Sequence, residues 1–215
     1  MKLFNIFLMT AAVLITGCAA NEVTKEKYSG FLGNYSQLQQ SPTYPASKIF
    51  IEPKTNFSNY KTIIIEKVVI LSGGALAQPN NSLLQSIAST YQGELKKSFK
   101  AKGYTIVTHG GAGTARIQAA ITSVYTSFDD LKAYQYIPIS AAITGAMRAS
   151  GSAKKNARVM MEAKVTDAKT GQLLASIVDL QKGKEVEESG EVTLNDVRPV
   201  LKQWAKRFAT AFSLL

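Results

Sequence analysis

The sequence predicts an α+β fold, in which a single mostly antiparallel sheet is covered by two amphipathic helices and preceded by an extended N-terminal segment. Two stretches, 81–102 and 196–214, repeat apolar residues at helical spacing. A β-branched run over 60–71 and several segments that alternate apolar and polar residues are typical of strands. The order of these elements along the chain favours one sheet covered by both helices.

Composition excludes several classes of protein. The chain has 215 residues, of which 46% are hydrophobic and 19% charged, with 15 glycines and 6 prolines. This profile is unlike collagen, low-complexity disorder or a polytopic membrane protein, and the length fits one domain with extra N-terminal sequence. Because Cys18 and His109 are the one cysteine and the one histidine, no intramolecular disulfide can form and no metal or cofactor is expected.

The N-terminus has the features of a secretory signal. Lys2 supplies a positive charge, and residues 3–15 form an apolar stretch that is too short to span a bilayer stably. The boundary Leu14-Ile15-Thr16-Gly17-Cys18-Ala19-Ala20 resembles the lipobox of bacterial lipoproteins. We therefore predict a signal peptide over 1–17 and lipidation of the Cys18 thiol, which anchors the chain to a membrane.

The residue after the cysteine bears on which membrane this is. Ala19 stands where an aspartate would favour retention in the inner membrane of enteric bacteria. The resemblance therefore implies the outer membrane, with the domain facing the periplasm. We predict a lipidated tether and extended docking segment over 18–59 and an α+β periplasmic domain over 60–215.

The docking segment has its own pattern. Residues 19–27 are polar and predict a flexible tether that lifts the domain off the membrane. Residues 28–38 alternate aromatics and leucines with turn formers, and a pure linker would not carry such large apolar side chains. We expect 28–38 to dock, and the sequence leaves open whether it docks on its own domain or on a neighbour.

The first half of the domain is predicted as strand, strand, helix. Lys48 to Ile51 forms a short edge strand, and Tyr60 to Leu71 forms a central strand that ends at Ser72-Gly73-Gly74. The first helix follows from about Asn81 to Lys102, with Gly103 as its stop.

The second half adds strands and the final helix. Asn195 is the predicted cap of that helix, and Pro199 falls in or just after its first turn. Residues 134–150 are interpreted as a helical or loop insertion, and Gly171 supplies the left-handed position of a hairpin turn. The predicted strands are Tyr104 to Thr108, Ala115 to Ser127, Arg158 to Asp167 and Leu173 to Leu180.

Two short motifs suggest serine acyl-enzyme chemistry, but their positions in the chain do not support it. Residues 152–155 fit S-x-x-K and residues 169–171 fit K-T-G, two elements of penicillin-binding enzymes. They stand close together in the chain, no S-D-N element accompanies them, and the K-T-G falls on the predicted hairpin tip. We predict no catalytic residues.

Basic residues on the two helices form a candidate anion-binding site. The formal net charge is +10, and outside the cytoplasm the polyanions are lipid headgroups, lipopolysaccharide and cell-wall polymers rather than nucleic acid. Solubility alone would place the same residues on exposed helix faces. The candidates are Lys96, Lys100, Arg198, Lys202 and Lys206.

The docking segment also carries a family resemblance. The run Tyr28-Ser29-Gly30-Phe31-Leu32-Gly33-Asn34-Tyr35-Ser36-Gln37-Leu38 after a lipobox, followed by the isoleucine-rich strand, resembles the proteobacterial predicted lipoproteins grouped as domain of unknown function 3313. The resemblance covers most of the mature chain. It implies an envelope lipoprotein with one α+β domain, and it implies no activity and no catalytic residues.

These observations favour a non-enzymatic, lipid-anchored envelope lipoprotein that binds another envelope component, either a protein or an anionic polymer. The alternative is a periplasmic binder of a small or lipidic ligand, with an apolar pocket between sheet and helices near Tyr134 to Met147. A third reading, a cell-wall hydrolase, would need Ser152 or Glu187 to act in catalysis. The oligomeric state stays open.

Overall fold

A computed structural model describes Val23 and residues 28–72, 75–76, 82–128, 155–186 and 192–215. The predictions for the signal peptide, Cys18, residues 134–150, Ser152 and Glu187 lie outside these described residues.

The described strands form one sheet, with two long helices beside it. The sheet order is β1-β2-β9-β8-β7-β3-β6, and β4 pairs with β7 and β5. This confirms the predicted α+β class. The helices are α1 (Ser82–Ala101) and α2 (Leu194–Leu214). The strands are β1 (Gln39–Gln40), β2 (Ser47–Ile51), β3 (Thr62–Ile65), β4 (Val69–Ser72), β5 (Ala75–Leu76), β6 (Thr105–Ile106), β7 (Thr114–Phe128), β8 (Lys155–Asp167) and β9 (Leu173–Val186).

The long strands are antiparallel and the shorter ones add parallel pairs. Strands β1, β2, β9, β8 and β7 are antiparallel in succession, whereas β3 and β4 run parallel to β7, and β6 runs parallel to β3. A parallel pair needs a long crossover connection. Helix α1 lies in the chain between β3 and β6 and provides it.

The predicted central strand over 60–71 is wrong as a single element, since it divides into β3 and β4. Ile65 pairs with Ile117, and Val69 pairs with Ala120, so four steps of one strand match three steps of β7. One extra residue on one side breaks the ladder locally, as in a β-bulge. The β-branched composition predicts extended backbone on both sides of the break and carries no signal for the break itself.

The hairpin of β8 and β9 is confirmed, and both strands are longer than predicted. At its tip, the Oδ1 atom of Asp167 accepts hydrogen bonds from the backbone N–H groups of Lys169 and Thr170 and from the Thr170 hydroxyl. Gly171 has a φ of 77°, the left-handed conformation predicted for it. The K-T-G sequence is therefore part of an ordinary turn.

Both helices pack side by side on one face of the sheet. Their apolar stripes meet at Tyr91 of α1 and Trp204 of α2, whose rings lie 5.9 Å apart. Helix α2 starts earlier than predicted and is capped by Thr193 rather than Asn195, because the Asp196 carboxylate accepts hydrogen bonds from the N–H and the hydroxyl of Thr193. Pro199 consequently lies inside the helix. None of the described helices is both long and apolar enough to cross a membrane.

The opposite face of the sheet is covered by residues 28–38, which we call the N-terminal strap. Apolar side chains of the strap pack around a small cluster formed by Met160, Val178 and Leu180. The strap therefore docks on its own domain, which confirms the docking prediction and answers the question that the sequence left open. Val23 joins this cluster and is 2% exposed, so the expectation of a wholly flexible tether over 19–27 is wrong at Val23.

Candidate functional site

An apolar cleft lies between α2 and the β2–β9 side of the sheet. Helix α1 packs over β3, β4 and β6, and α2 packs over β8 and β9, so the helix-facing side of β2 is left uncovered. The cleft has a volume of about 230 Å³. Its lining is Ser41, Pro42, Thr43, Tyr44, Ile49, Phe50, Ile51, Phe57, Met161, Ala163, Val165, Ala175, Ser176, Ile177, Asp179, Trp204, Arg207, Phe208, Ala211, Phe212 and Leu215.

The β2–β9 wall of the cleft carries aliphatic side chains that the protein buries incompletely. Ile49 pairs with Ile177, and Ile51 pairs with Ala175, so that these residues stand side by side across β2 and β9. All four are only partly buried. Contact with a ligand would remove these apolar groups from water, which lowers the free energy and so favours binding.

The mouth of the cleft is also apolar. Tyr44 is 41% exposed and Leu215 is 49% exposed, and both line the cleft. With Leu214, they are the large hydrophobic residues exposed in the described part of the chain. Because exposed apolar side chains gathered at one opening often mark a binding surface, the mouth favours a recognition role for the cleft.

A buried carboxylate closes the polar end of the cleft. Asp179 is 1% exposed. Its Oδ1 atom accepts hydrogen bonds from the Ser47 hydroxyl at 2.7 Å and from the Gln181 Nε2 at 2.9 Å, and its Oδ2 atom accepts one from the Trp204 Nε1 at 2.6 Å. A buried charge is tolerated only when it is paired and hydrogen-bonded, and this one is both.

Arg207 is the positive partner at the same end. Its Nη1 atom lies 3.6 Å from Asp179 Oδ2, and its guanidinium lies over the Tyr44 ring, 3.4 Å from the centroid. Arg207 and Asp179 are the charged side chains among the described lining residues. They offset each other, so the cleft presents an apolar interior with a guanidinium at its rim.

The described residues provide little for other chemistry. Within the described ranges, no three His, Cys, Asp or Glu side chains come together as a metal site. The Ser47 hydroxyl behind the cleft donates to Asp179 inside the buried network. The arrangement is suited to holding an apolar group.

The five basic residues predicted as an anion-binding site lie elsewhere. They are all exposed on α1 and α2, which pack against each other, and none of them lines the cleft. These residues are Lys96, Lys100, Arg198, Lys202 and Lys206.

The cleft itself was only partly foreseeable. A pocket between sheet and helix is present, as the alternative hypothesis expected, but residues 134–147 lie outside the described chain and the described cleft is built from 41–51, β8, β9 and α2. One signal in the sequence was available. Asp179 interrupts the apolar run Ile177-Val178-Asp179-Leu180, and a charge in such a run indicates a buried polar network.

A second buried carboxylate fixes the N-terminal strap. Glu162 is 0% exposed and accepts hydrogen bonds from the Ser29 N–H at 2.7 Å and from the Tyr35 hydroxyl at 2.6 Å. Burial, together with the hydrogen bond to Glu162 and its charge, raises the pKa of Tyr35 to about 12. The ring of Tyr35 stacks on that of Tyr28 at 4.2 Å, and Lys164 Nζ lies 5.3 Å from the Phe31 centroid.

Comparison with known proteins adds relatives in sequence and in structure. The chain is 26% identical over 195 residues to the uncharacterized lipoprotein YdcL of Escherichia coli K12, covering 89% of this chain and 87% of that protein. Solved structures with a related arrangement include the PelC dodecamer of Paraburkholderia phytofirmans (8% identity, 78% of this chain and 97% of that chain, TM-score 0.42). A minor lipoprotein of Acinetobacter baumannii is another (12% identity, 72% and 94% coverage, TM-score 0.38).

The family match covers most of the domain and the whole strap. It begins at residue 27, just before the strap, and ends at residue 208, within α2. Over residues 27–208 the chain matches the family described as protein of unknown function (DUF3313), and the protein therefore belongs to that family, as the resemblance implied.

Proposed function

We propose that this protein is a non-enzymatic lipoprotein, anchored through Cys18 in the outer membrane and facing the periplasm, that binds an apolar or lipidic ligand in the cleft beside α2. The anchoring is supported by the lipobox around Cys18 and by the lipoprotein name of the Escherichia coli relative. The binding role is carried by one observation, an apolar cleft with an apolar mouth and a neutralised charge pair at its end.

The size of the cleft is adequate for a small apolar group. Its volume of about 230 Å³ exceeds the roughly 150 Å³ of an engineered apolar cavity that stays dry and binds benzene. Each buried methylene contributes about 0.8 kcal/mol, so six of them contribute roughly 5 kcal/mol. Taken alone, this contribution corresponds to a dissociation constant of about 0.2 mM, and the cost of ordering the ligand weakens the binding into the millimolar range.

The rim residue suggests how a ligand is oriented. The Arg207 guanidinium lies beside Asp179 and Tyr44 at the end of the apolar space, where it can donate to a carbonyl or anionic oxygen. The ligand class that fits is an acyl chain or ring with one polar end. An extended polar ligand, such as a glycan, finds few partners on the described walls.

Binding of a protein or anionic polymer, which the sequence favoured, stays a second proposal. Its support is the exposure of basic residues on both helices, namely Lys96, Lys100, Arg198, Lys202 and Lys206. Crosslinking in native membranes tests it with a variant in which Lys96, Lys202 and Lys206 are changed to Glu. Loss of a specific crosslinked partner is expected, and an unchanged pattern contradicts it.

Titration with the fluorescent probe N-phenyl-1-naphthylamine tests the cleft. Ala211 is exposed on α2 and lines the cleft, so Ala211→Trp fills the space without disturbing the core. Gln203→Trp places the same side chain on the same helix, at an exposed position outside the lining, and is the matched control. We expect the dissociation constant to rise at least tenfold in Ala211→Trp and less than twofold in Gln203→Trp. Equal affinities in both variants would contradict the proposal.

A further inference from the structure

We propose that the sheet face covered by the N-terminal strap rests on the anionic phospholipid surface that holds the lipid anchor, with the helix pair turned away from it. This inference rests on the proposed anchoring through Cys18. It adds a defined membrane-contact surface and a fixed orientation of the domain. Three observations carry it: the short distance along the chain from the anchor to Val23, the hydrogen bonds that hold the strap, and the cations on this face.

The anchor cannot lie far from Val23. Five residues separate Cys18 from Val23, and a fully extended chain of that length spans at most about 18 Å. Val23 is 2% exposed and packs in the cluster of Met160, Val178 and Leu180 on the strap side of the sheet. The bilayer surface is therefore within about 18 Å of this face.

The helix pair lies too far from Val23 to face the bilayer in place of the strap. Layers pack about 10 Å apart and a helix is about 10 Å wide, so the outer surface of α1 and α2 lies roughly 15 Å beyond the sheet, on the side opposite Val23. To place the helices on the bilayer, the chain from Val23 to Cys18 would have to pass around the edge of the sheet. With Val23 buried on the strap side, a span of about 18 Å is too short for that path.

Hydrogen bonds and ring stacking hold the strap on the sheet, so the position of the anchor also fixes the orientation of the domain. Glu162, buried beneath it, accepts from the Ser29 N–H and the Tyr35 hydroxyl, and the Tyr28 and Tyr35 rings stack on each other. Lys164 Nζ donates to the Phe31 carbonyl. Releasing the strap would leave the Glu162 carboxylate without the partners that the structure shows for it, which opposes detachment.

The charges of this face suit anionic headgroups. Lys48 is paired with Val178 in register and so points to the strap side with it, as does Lys182, two residues beyond Leu180. Lys164 is on the same side, against Phe31. Glu162, the acid between Met160 and Lys164 on the strap side of β8, is fully buried under the strap. The basic residues of the helix pair are more numerous, so charge alone would turn the helices towards the membrane. An experiment that measures the orientation therefore separates the effect of charge from the effect of the tether.

Lipid-depth fluorescence quenching on the acylated full-length chain tests the orientation. Cys18 is the one cysteine of the chain and its sulfur carries the lipid, so an introduced cysteine is a unique labelling site. Gln37 is exposed on the strap and Gln203 is exposed on α2, which makes Gln37→Cys and Gln203→Cys a matched pair. Each is labelled and reconstituted into phosphatidylethanolamine–phosphatidylglycerol vesicles containing a lipid that is spin-labelled at its headgroup.

We expect the label at Gln37 to be quenched at least threefold more than the label at Gln203. Equal quenching, or stronger quenching at Gln203, would overturn the orientation while leaving the anchor and the cleft intact. Protein that fails to sediment with the vesicles would overturn the anchor, and the orientation with it. Insertion of about 20 Gly and Ser residues after Cys18, which span roughly 25 Å, should bring the ratio towards one. An unchanged ratio would overturn tether length as the cause.

Discussion

Replacing Asp179 with asparagine tests the polar end of the cleft. The substitution keeps the shape of the side chain and leaves one acceptor oxygen in place of two. The Ser47 hydroxyl and the Gln181 amide donate to one carboxylate oxygen, and the Trp204 indole donates to the other. The asparagine NH₂ group must therefore face a donor in a site that is 1% exposed.

The expected cost follows from these contacts. A hydrogen bond to a charged group contributes about 1.5–3 kcal/mol, and a buried donor left without an acceptor costs about 1–3 kcal/mol. Arg207 also loses its counter-charge, but its side chain is 16% exposed and recovers part of its hydration. We expect Asp179→Asn to lower the free energy of unfolding by about 3 kcal/mol.

Urea unfolding of the Cys18→Ala chain measures this loss, followed by the fluorescence of Trp204, the single tryptophan. Asp196→Asn is the control, since an asparagine at this partly exposed capping position can still accept from Thr193 and should cost under about 1 kcal/mol. A loss below about 1 kcal/mol in Asp179→Asn, with an unchanged dependence of the unfolding free energy on urea, would show that these hydrogen bonds do not stabilise the fold.

Two further predictions concern other parts of the fold. A Cβ at Gly183 would lie 2.6 Å from the Asp196 carbonyl oxygen, so Gly183→Ala should destabilise the protein by about 1–3 kcal/mol in the same urea assay. A Cβ at Gly93 in α1 would meet open space, so Gly93→Ala should stabilise the protein by up to about 1 kcal/mol. Equal effects of the two substitutions would contradict this prediction. Because the pKa of Tyr35 is raised from 10.0 to about 12, its stabilising effect is complete below pH 10 and is lost as the pH rises towards 12. Limited proteolysis of the strap should therefore accelerate over that range in the wild type, and Tyr35→Phe, which has no proton to lose, should show a smaller increase; identical pH profiles would contradict the assignment.

Most of the fold was readable from local patterns. Apolar residues at helical spacing predicted both helices, and Gly171 predicted the turn between β8 and β9. The alternation of aromatics in the strap predicted that it docks. These features depend on neighbouring residues alone, which is why a sequence can carry them.

Other features depend on tertiary packing and were missed. The break between β3 and β4 comes from their register against β7, and a β-branched run contains no information about that register. The burial of Val23 depends on the apolar cluster around Met160, far along the chain. The cleft exists because two helices do not reach across to β2, and no local pattern states how far a helix layer extends.

Native mass spectrometry of the protein purified from its own membranes tests whether the cleft holds a ligand in the cell. We expect a non-covalent mass of a small amphiphile on the wild-type chain, retained in Gln203→Trp and lost in Ala211→Trp. A wild-type chain that carries only its covalent lipid, or a ligand that persists when Ala211→Trp has filled the cleft, would contradict the claim that this cleft is the binding site.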